Sequence, residues 1–191
     1  MLFVYKCYPV SFIEKLDIEK TNKIILPPIV IEKISKTNVT WPLIFRVDNQ
    51  ESTHHTHCGV VEFTADEGCA YIPSWIMKNL KITEGDYVKF TCTDLHKGTY
   101  VKFKPQTLDF LNITNPKAVL ELKLRNFTCL TKNDTIAIEY NKKIYWIGIV
   151  EVKPGNAISI IETDLDVEFV NKSKKYKKIT IQDDETESST I

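Results

Sequence analysis

The chain has 191 residues, 43% of them hydrophobic, 26% charged and 20 aromatic (nine Phe, eight Tyr, three Trp), enough for a sizeable packed core and too apolar for wholesale disorder. Its formal net charge is zero, and Arg occurs only at Arg46 and Arg125, so the basic, Arg-rich face of a nucleic-acid binder is not expected. Five separated cysteines with no C-x-x-C pair fit reduced thiols, and no apolar run approaches the ~18 residues of a membrane-spanning helix, so direct membrane insertion is not expected.

In chain order, "MLFVYKCYPVSF" reads as a first strand, since it lacks the basic leader and cleavage site of a signal peptide. Runs at 22–28, 42–47, 58–65, 69–73, 86–93 and 99–105 are rich in β-branched and aromatic residues and end at Gly, Pro, Asn or Asp. Pro27, Pro28, Pro42, Pro73 and Pro105 fall at run ends, where a missing N–H is tolerated. Two short helices are expected at 28–35 and 73–80. Each follows an apolar-apolar-Pro step, in "ILPPIVIEKI" and "YIPSWIMKNL", with Ile29, Val30, Ile31 and Ile34 matched by Trp75, Ile76, Met77 and Leu80. This is a strand, helix, strand repeat with a period of 46 residues. Two copies point to a pseudo-twofold barrel, because a solenoid needs at least three repeats.

The pattern changes near residue 106. Asn115 and Pro116 have the chemistry of an N-cap and first helical turn for 115–127, with Val119, Leu122 and Phe127 on one apolar side. Strands follow at 135–141, 143–153 and 158–169, the first two joined by a hairpin turn at Asn141-Lys142. A helix with an antiparallel sheet is expected here. The segment 172–191 joins a basic block to an acidic Ser/Thr-rich one and reads as a flexible charged tail.

Chemistry concentrates at "HHTHC", His54 to Cys58. On a strand His55 and His57 share one face, while His54, Thr56 and Cys58 share the other. Zinc needs three or four converging ligands, and a thiol nucleophile needs its base on its own side. Neither requirement is met, so no catalytic residue, cofactor or metal site is expected, and Cys58 is expected to pack as a small apolar residue. No nucleotide-binding or hydrolase motif occurs. In "YWIGIV", alternation puts Tyr145, Ile147 and Ile149 toward the core and Trp146 outward beside Gly148, which makes Trp146 a candidate contact residue.

The segments "YKCYPVSF", "NKIILPP", "THCGVVEFTADEG", "YIPSWIMKNL", "YVKFKPQTLDFLNITNPKAVLE", "LRNFTCLTKNDTIAIEYN" and "VKPGNAISIIETDLDVEF" resemble, in order, the N-terminal region of the ubiquitin fusion degradation protein 1 family. The resemblance runs from about residue 5 to about 170. It implies a mixed, β-rich α+β fold: a double-psi β-barrel over 1–107, then a small α/β roll over 108–171. It also implies a non-enzymatic protein that binds ubiquitin and polyubiquitin chains, for which Tyr145 and Trp146 are the expected contacts. The implied partners are a valosin-containing-protein-type AAA ATPase and the nuclear protein localisation 4 cofactor. The implied role is extraction of ubiquitylated proteins for degradation, as in the ERAD pathway. The implied location is cytoplasmic, with nuclear or ER-membrane-associated pools. Relatives continue into a region carrying ATPase-binding motifs, and no F-x-G-x-G motif occurs in 172–191, which leaves ATPase recruitment by that route open. A trimmed relative serving as an import adaptor in a plastid-surrounding compartment is the alternative.

Overall fold

The computed structural model describes residues 1–170 and 175–182. The chain divides into two compact units, Met1–Asp94 and Leu95–Ile191.

In the first unit, β1 (Leu2–Pro9), β2 (Lys23–Ile25), β3 (Ile44–Asn49), β4 (His55–Glu62), β5 (Cys69–Ile72) and β6 (Tyr87–Thr93) close a barrel in the order β1-β5-β2-β4-β3-β6. The pairs β1/β5 and β2/β4 are parallel, and the rest are antiparallel. Exchanging β1 with β4, β2 with β5 and β3 with β6 leaves every pairing and its direction unchanged. That is the internal twofold symmetry the repeat predicts, and it accords with the double-psi barrel that the resemblance implies. Ile25 and Tyr71, one repeat apart, pair directly across the β2/β5 contact. The helices α1 (Pro28–Ile34) and α2 (Ser74–Leu80) follow β2 and β5. Val30/Ile76 and Ile34/Leu80 are buried in both copies. Ile29, however, is 39% exposed where its counterpart Trp75 is buried.

Alternation decides which side chains fill the barrel. Phe3, Tyr5, Phe45, Val47, Val88 and Phe90 are buried on the inward rows. Their rings meet at centroid distances of 6.0 Å (Phe3–Tyr5), 6.5 Å (Phe3–Phe45) and 6.1 Å (Tyr5–Phe90). Burial of each such side chain stabilises by about 1.5–3 kcal/mol.

In the second unit, β7 (Tyr100–Pro105), β10 (Lys143–Lys153), β9 (Thr135–Tyr140), β12 (Thr163–Phe169) and β13 (Lys175–Ile181) form a sheet in the order β13-β12-β7-β10-β9. A small pair joins β8 (Cys129–Thr131) to β11 (Ala157–Ser159). The helix α3 (Pro116–Leu124) starts where expected, with the Asn115 carboxamide oxygen accepting from Ala118 N at 3.1 Å. Val119, Leu120, Leu124 and Phe127 are buried, with Phe110, Phe103, Ile147, Ile149 and Val167 in the same unit's core.

The structure corrects five expectations. The boundary lies at Asp94/Leu95, not at 107, because β7 hydrogen-bonds to β10 and β12, both far downstream. The sheet is mixed, not antiparallel, since β12 runs parallel to β7. The expected strand 158–169 is two strands, β11 and β12, separated by a turn with Glu162 at φ 44°. Leu122 is 51% exposed; the apolar stripe of α3 passes through Leu120 and Leu124 instead. Part of the expected flexible tail is β13, because Ile179 and Ile181 alternate with polar residues and are buried while the strand pairs with β12. The rest of that tail, 172–174 and 183–191, lies outside the described residues.

Candidate functional site

The histidine–cysteine cluster lies on β4. Its direct partners are β3 residues: Cys58 opposes Phe45, His57 opposes Arg46, and His55 opposes Asp48. Phe45 is wholly buried in the barrel, so Cys58, also wholly buried, faces inward with it. His57 therefore faces outward, yet it is only 8% exposed. Burial lowers its pKa to about 4, reinforced by the neighbouring His55 and Arg46 and opposed by Asp48. The His55 and His57 rings stand edge to face, 6.1 Å apart. Asp48, the nearest carboxylate across the ladder, accepts from Arg46 Nε at 2.9 Å. Among the described residues, no group of three or more His, Cys, Asp or Glu side chains is placed to hold a metal ion. The cluster thus separates into a thiol sealed inside the barrel and a neutral imidazole packed outside it, with a strand between them. That arrangement supports packing, not nucleophilic chemistry.

The other candidates, Tyr145 and Trp146, sit on β10 beside the β9 hairpin. The hairpin exists because Asn141 (φ 50°) and Lys142 (φ 61°) both adopt the left-handed conformation that a tight two-residue turn needs. It sets the register Tyr145↔Ile138 and Trp146↔Ala137. Adjacent strand residues point to opposite faces, and the two side chains separate accordingly. Tyr145 packs edge-on to the buried Phe110, with ring centroids 5.5 Å apart. Lys143 caps the Tyr145 ring at 5.1 Å and pairs with Asp109 at 2.6 Å. Tyr145 is therefore a half-buried wall of the core. Trp146 is half-buried on the opposite face, in line with Ile144, which is 52% exposed, and with Gly148. By register, Glu139, Ala137 and Thr135 of β9 continue that face on one side and Lys104 of β7 on the other. A β-bulge between Ile149 and Glu151 leaves Val150 37% exposed. The two expected contact residues thus do not share a surface; Ile144, not Tyr145, is the apolar neighbour of Trp146.

The connection between β1 and β2 holds features that the strand-based reading passed over. Phe12 is 55% and Leu16 63% exposed on a turn stabilised by a 3-10 helix over Val10–Ile13. The signal was present as apolar residues at 12, 13 and 16 in "SFIEKL", a spacing too short to name an element.

Two family models match this chain. "Ubiquitin fusion degradation protein UFD1, N-terminal subdomain 1" matches residues 3–96 and "N-terminal subdomain 2" matches 97–172, a division within two residues of the structural one. The human "Ubiquitin recognition factor in ER-associated degradation protein 1" is 50% identical over 169 residues, 86% of this chain and 55% of the relative. The Dictyostelium discoideum "Ubiquitin fusion degradation protein 1 homolog" is 47% identical over 167 residues, 86% of this chain and 51% of the relative. The Saccharomyces cerevisiae "Ubiquitin fusion degradation protein 1" is 40% identical over 198 residues, 98% of this chain and 55% of the relative. The chain spans about half the length of the curated relatives it matches. With both subdomain models matched in order and the barrel and mixed sheet in place, the chain belongs to the ubiquitin fusion degradation protein 1 family.

Proposed function

We propose that this chain is a non-enzymatic ubiquitin-binding module. It engages ubiquitin and polyubiquitin chains on behalf of a valosin-containing-protein-type AAA ATPase and the nuclear protein localisation 4 cofactor, so that ubiquitylated proteins are extracted for degradation. The observation that carries the reading is 50% identity to a relative named as a ubiquitin recognition factor in ER-associated degradation, across both structural units. The sealing of Cys58 away from His57 supports a binding role over a catalytic one. Cytoplasmic action, with nuclear or ER-membrane-associated pools, is part of the same proposal.

The outward strip of Ile144 and Trp146 is the proposed ubiquitin contact. Aromatic side chains that are half-buried on a rigid strand lose little freedom on binding, and Trp is enriched among energetically dominant contacts. The test is an NMR titration of the isotope-labelled chain with monoubiquitin and with polyubiquitin. Shifts on β9 and β10 are expected, and Trp146→Ala should weaken binding by about 1–2 kcal/mol. Absence of shifts at millimolar ubiquitin would overturn ubiquitin binding itself; unchanged affinity in Trp146→Ala would move the contact elsewhere. A pull-down with the ATPase and the partner cofactor, comparing residues 1–182 with the full chain, tests recruitment without removing β13.

A further inference from the structure

The turn between β1 and β2 is pinned at several points. Val10 and Ile18, the buried residues at its two ends, sit in one apolar cluster with Ile25, Ala65 and Tyr71, against which Ile13 also packs. Lys15 pairs with Glu62 at 2.5 Å. Beyond the turn, the Glu19 carboxylate accepts from Ser74 N at 2.8 Å and from the Ser74 hydroxyl, while the Glu19 carbonyl accepts from Trp75 Nε1 at 3.0 Å. Glu14 is held at φ 58°, in the left-handed region that is costly for a residue with a Cβ. A rigid turn nevertheless presents Phe12 and Leu16 to solvent.

Phe12 stacks on Tyr8 at 5.6 Å, and Tyr8 lies 6.4 Å from Tyr71. Two acidic loops border these rings. One is Asp66–Glu67–Gly68, whose Asp66 accepts from the Tyr71 hydroxyl at 2.7 Å and whose Gly68 carbonyl accepts from Lys6 N. The other is Glu84–Gly85–Asp86. Its Gly85 N donates to the Cys7 carbonyl, and a Cβ at Gly85 would stand 3.7 Å from Tyr8 Oη. Asp86 is engaged by Thr83 N and its hydroxyl. Glu67 and Glu84 are exposed, with no hydrogen-bond or ion-pair partner among the described residues. Of the lysines on these elements, Lys15 pairs with Glu62, and Lys6 lies over the Tyr87 ring at 5.5 Å. An exposed aromatic on a preorganised turn, edged by uncompensated carboxylates, has the features of a recognition surface.

We infer that the Tyr8–Phe12 platform, with its rim of Asp66, Glu67, Glu84 and Asp86, docks a short apolar segment of a partner protein that carries flanking lysines or arginines. The apolar part covers Phe12, and the cations meet Glu67 and Glu84. The platform is built from one turn and two short loops, not from a continuous sheet face, and its proposed occupant is accordingly a short segment. This surface lies on the barrel unit, whereas the Trp146 strip belongs to the second unit.

The test uses the full, isotope-labelled chain and two short synthetic peptides sharing one Leu/Ile core, one flanked by lysines and the other by glutamates. The lysine peptide is expected to shift the amides of 8, 10–16, 66–68 and 84–86, with affinity falling as salt rises. The double substitution Glu67→Lys/Glu84→Lys should weaken it about tenfold, as two lost exposed pairs plus repulsion imply. Phe12→Ser should weaken it without changing the melting temperature, because Phe12 is largely exposed. No shifts with the lysine peptide at millimolar concentration would overturn the inference. So would equal binding of the glutamate peptide, or shifts confined to other residues. Monoubiquitin shifting these same amides would also overturn it, by making the platform part of the ubiquitin surface.

Discussion

His57 shows how one buried side chain makes the barrel sensitive to pH. Its unfolded imidazole takes a proton near 6.5 and its folded one only near about 4. The folded pKa is thus depressed for a base, so its contribution to stability is fully present above pH 6.5 and is lost as pH falls from 6.5 to about 4. Thermal melts across that window should show a falling melting temperature for the wild-type chain and a flatter profile for His57→Gln, with a ceiling of about 3 kcal/mol on the difference. A wild-type profile as flat as the variant's would mean that His57 is hydrated or already protonated. Gly98 poses a steric question in the second unit. A Cβ there would sit 2.3 Å from Ile158 Cδ1 and 3.1 Å from Ile158 Cβ. The terminal methyl can rotate away, but the branched Cβ cannot, so Gly98→Ala should cost about 1–3 kcal/mol in chemical denaturation. No loss would show that β11 shifts freely. Cys58 was readable from sequence as a small apolar residue. The burial of His57 on the outer face was not, because strand alternation predicts which way a side chain points and not what covers it.

At the scale of elements, local chemistry carried the reading wherever one or two residues decide a conformation. Asn115 caps α3 as its side chain allows, and Asn141-Lys142 turns the β9/β10 hairpin. That turn is imperfect, since Lys142 bears a Cβ at φ 61°. Lys142→Gly should stabilise the second unit by about 0.5–1 kcal/mol, the left-handed cost of a substituted residue less the extra freedom of glycine in the unfolded chain. Urea titration monitors this, and a destabilised variant would mean that the Lys142 side chain contributes packing that outweighs its backbone cost. The repeated strand-Pro-helix step was also legible, because proline and apolar spacing fall at matched positions of both copies. The difference between the copies was not. Trp75 is buried and donates its ring N–H to the Glu19 carbonyl, whereas Ile29 at the matched position stays exposed. The segment that leads from the β1–β2 turn into β2 supplies that partner to one copy, a tertiary asymmetry that no helical period encodes.

For the whole molecule, the consequence is where the chain can be cut. Residues 172–191 look like a detachable charged tail, yet β13 lies within them, pairs with β12 and buries Ile179 and Ile181. A chain ending at 171 should lose dispersed amide signals across the second unit while those of Met1–Asp94 remain, and one ending at 182 should keep both sets. Intact spectra for the shorter chain would show β13 to be dispensable.

The sequence by itself determined the family, the β-rich α+β class, the twofold repeat of the barrel and the packing role of Cys58. The family rests on the ordered resemblance of whole segments; the other three rest on local patterns: alternation, proline placement and the apolar or polar character of neighbours. Only the tertiary structure decided the unit boundary, the parallel pairing of β7 with β12 and the recruitment of β13. These depend on which distant strand supplies the hydrogen bonds and which element covers a face. Such pairings join residues dozens of positions apart, and their energy comes from burial that exists only once the chain has closed on itself.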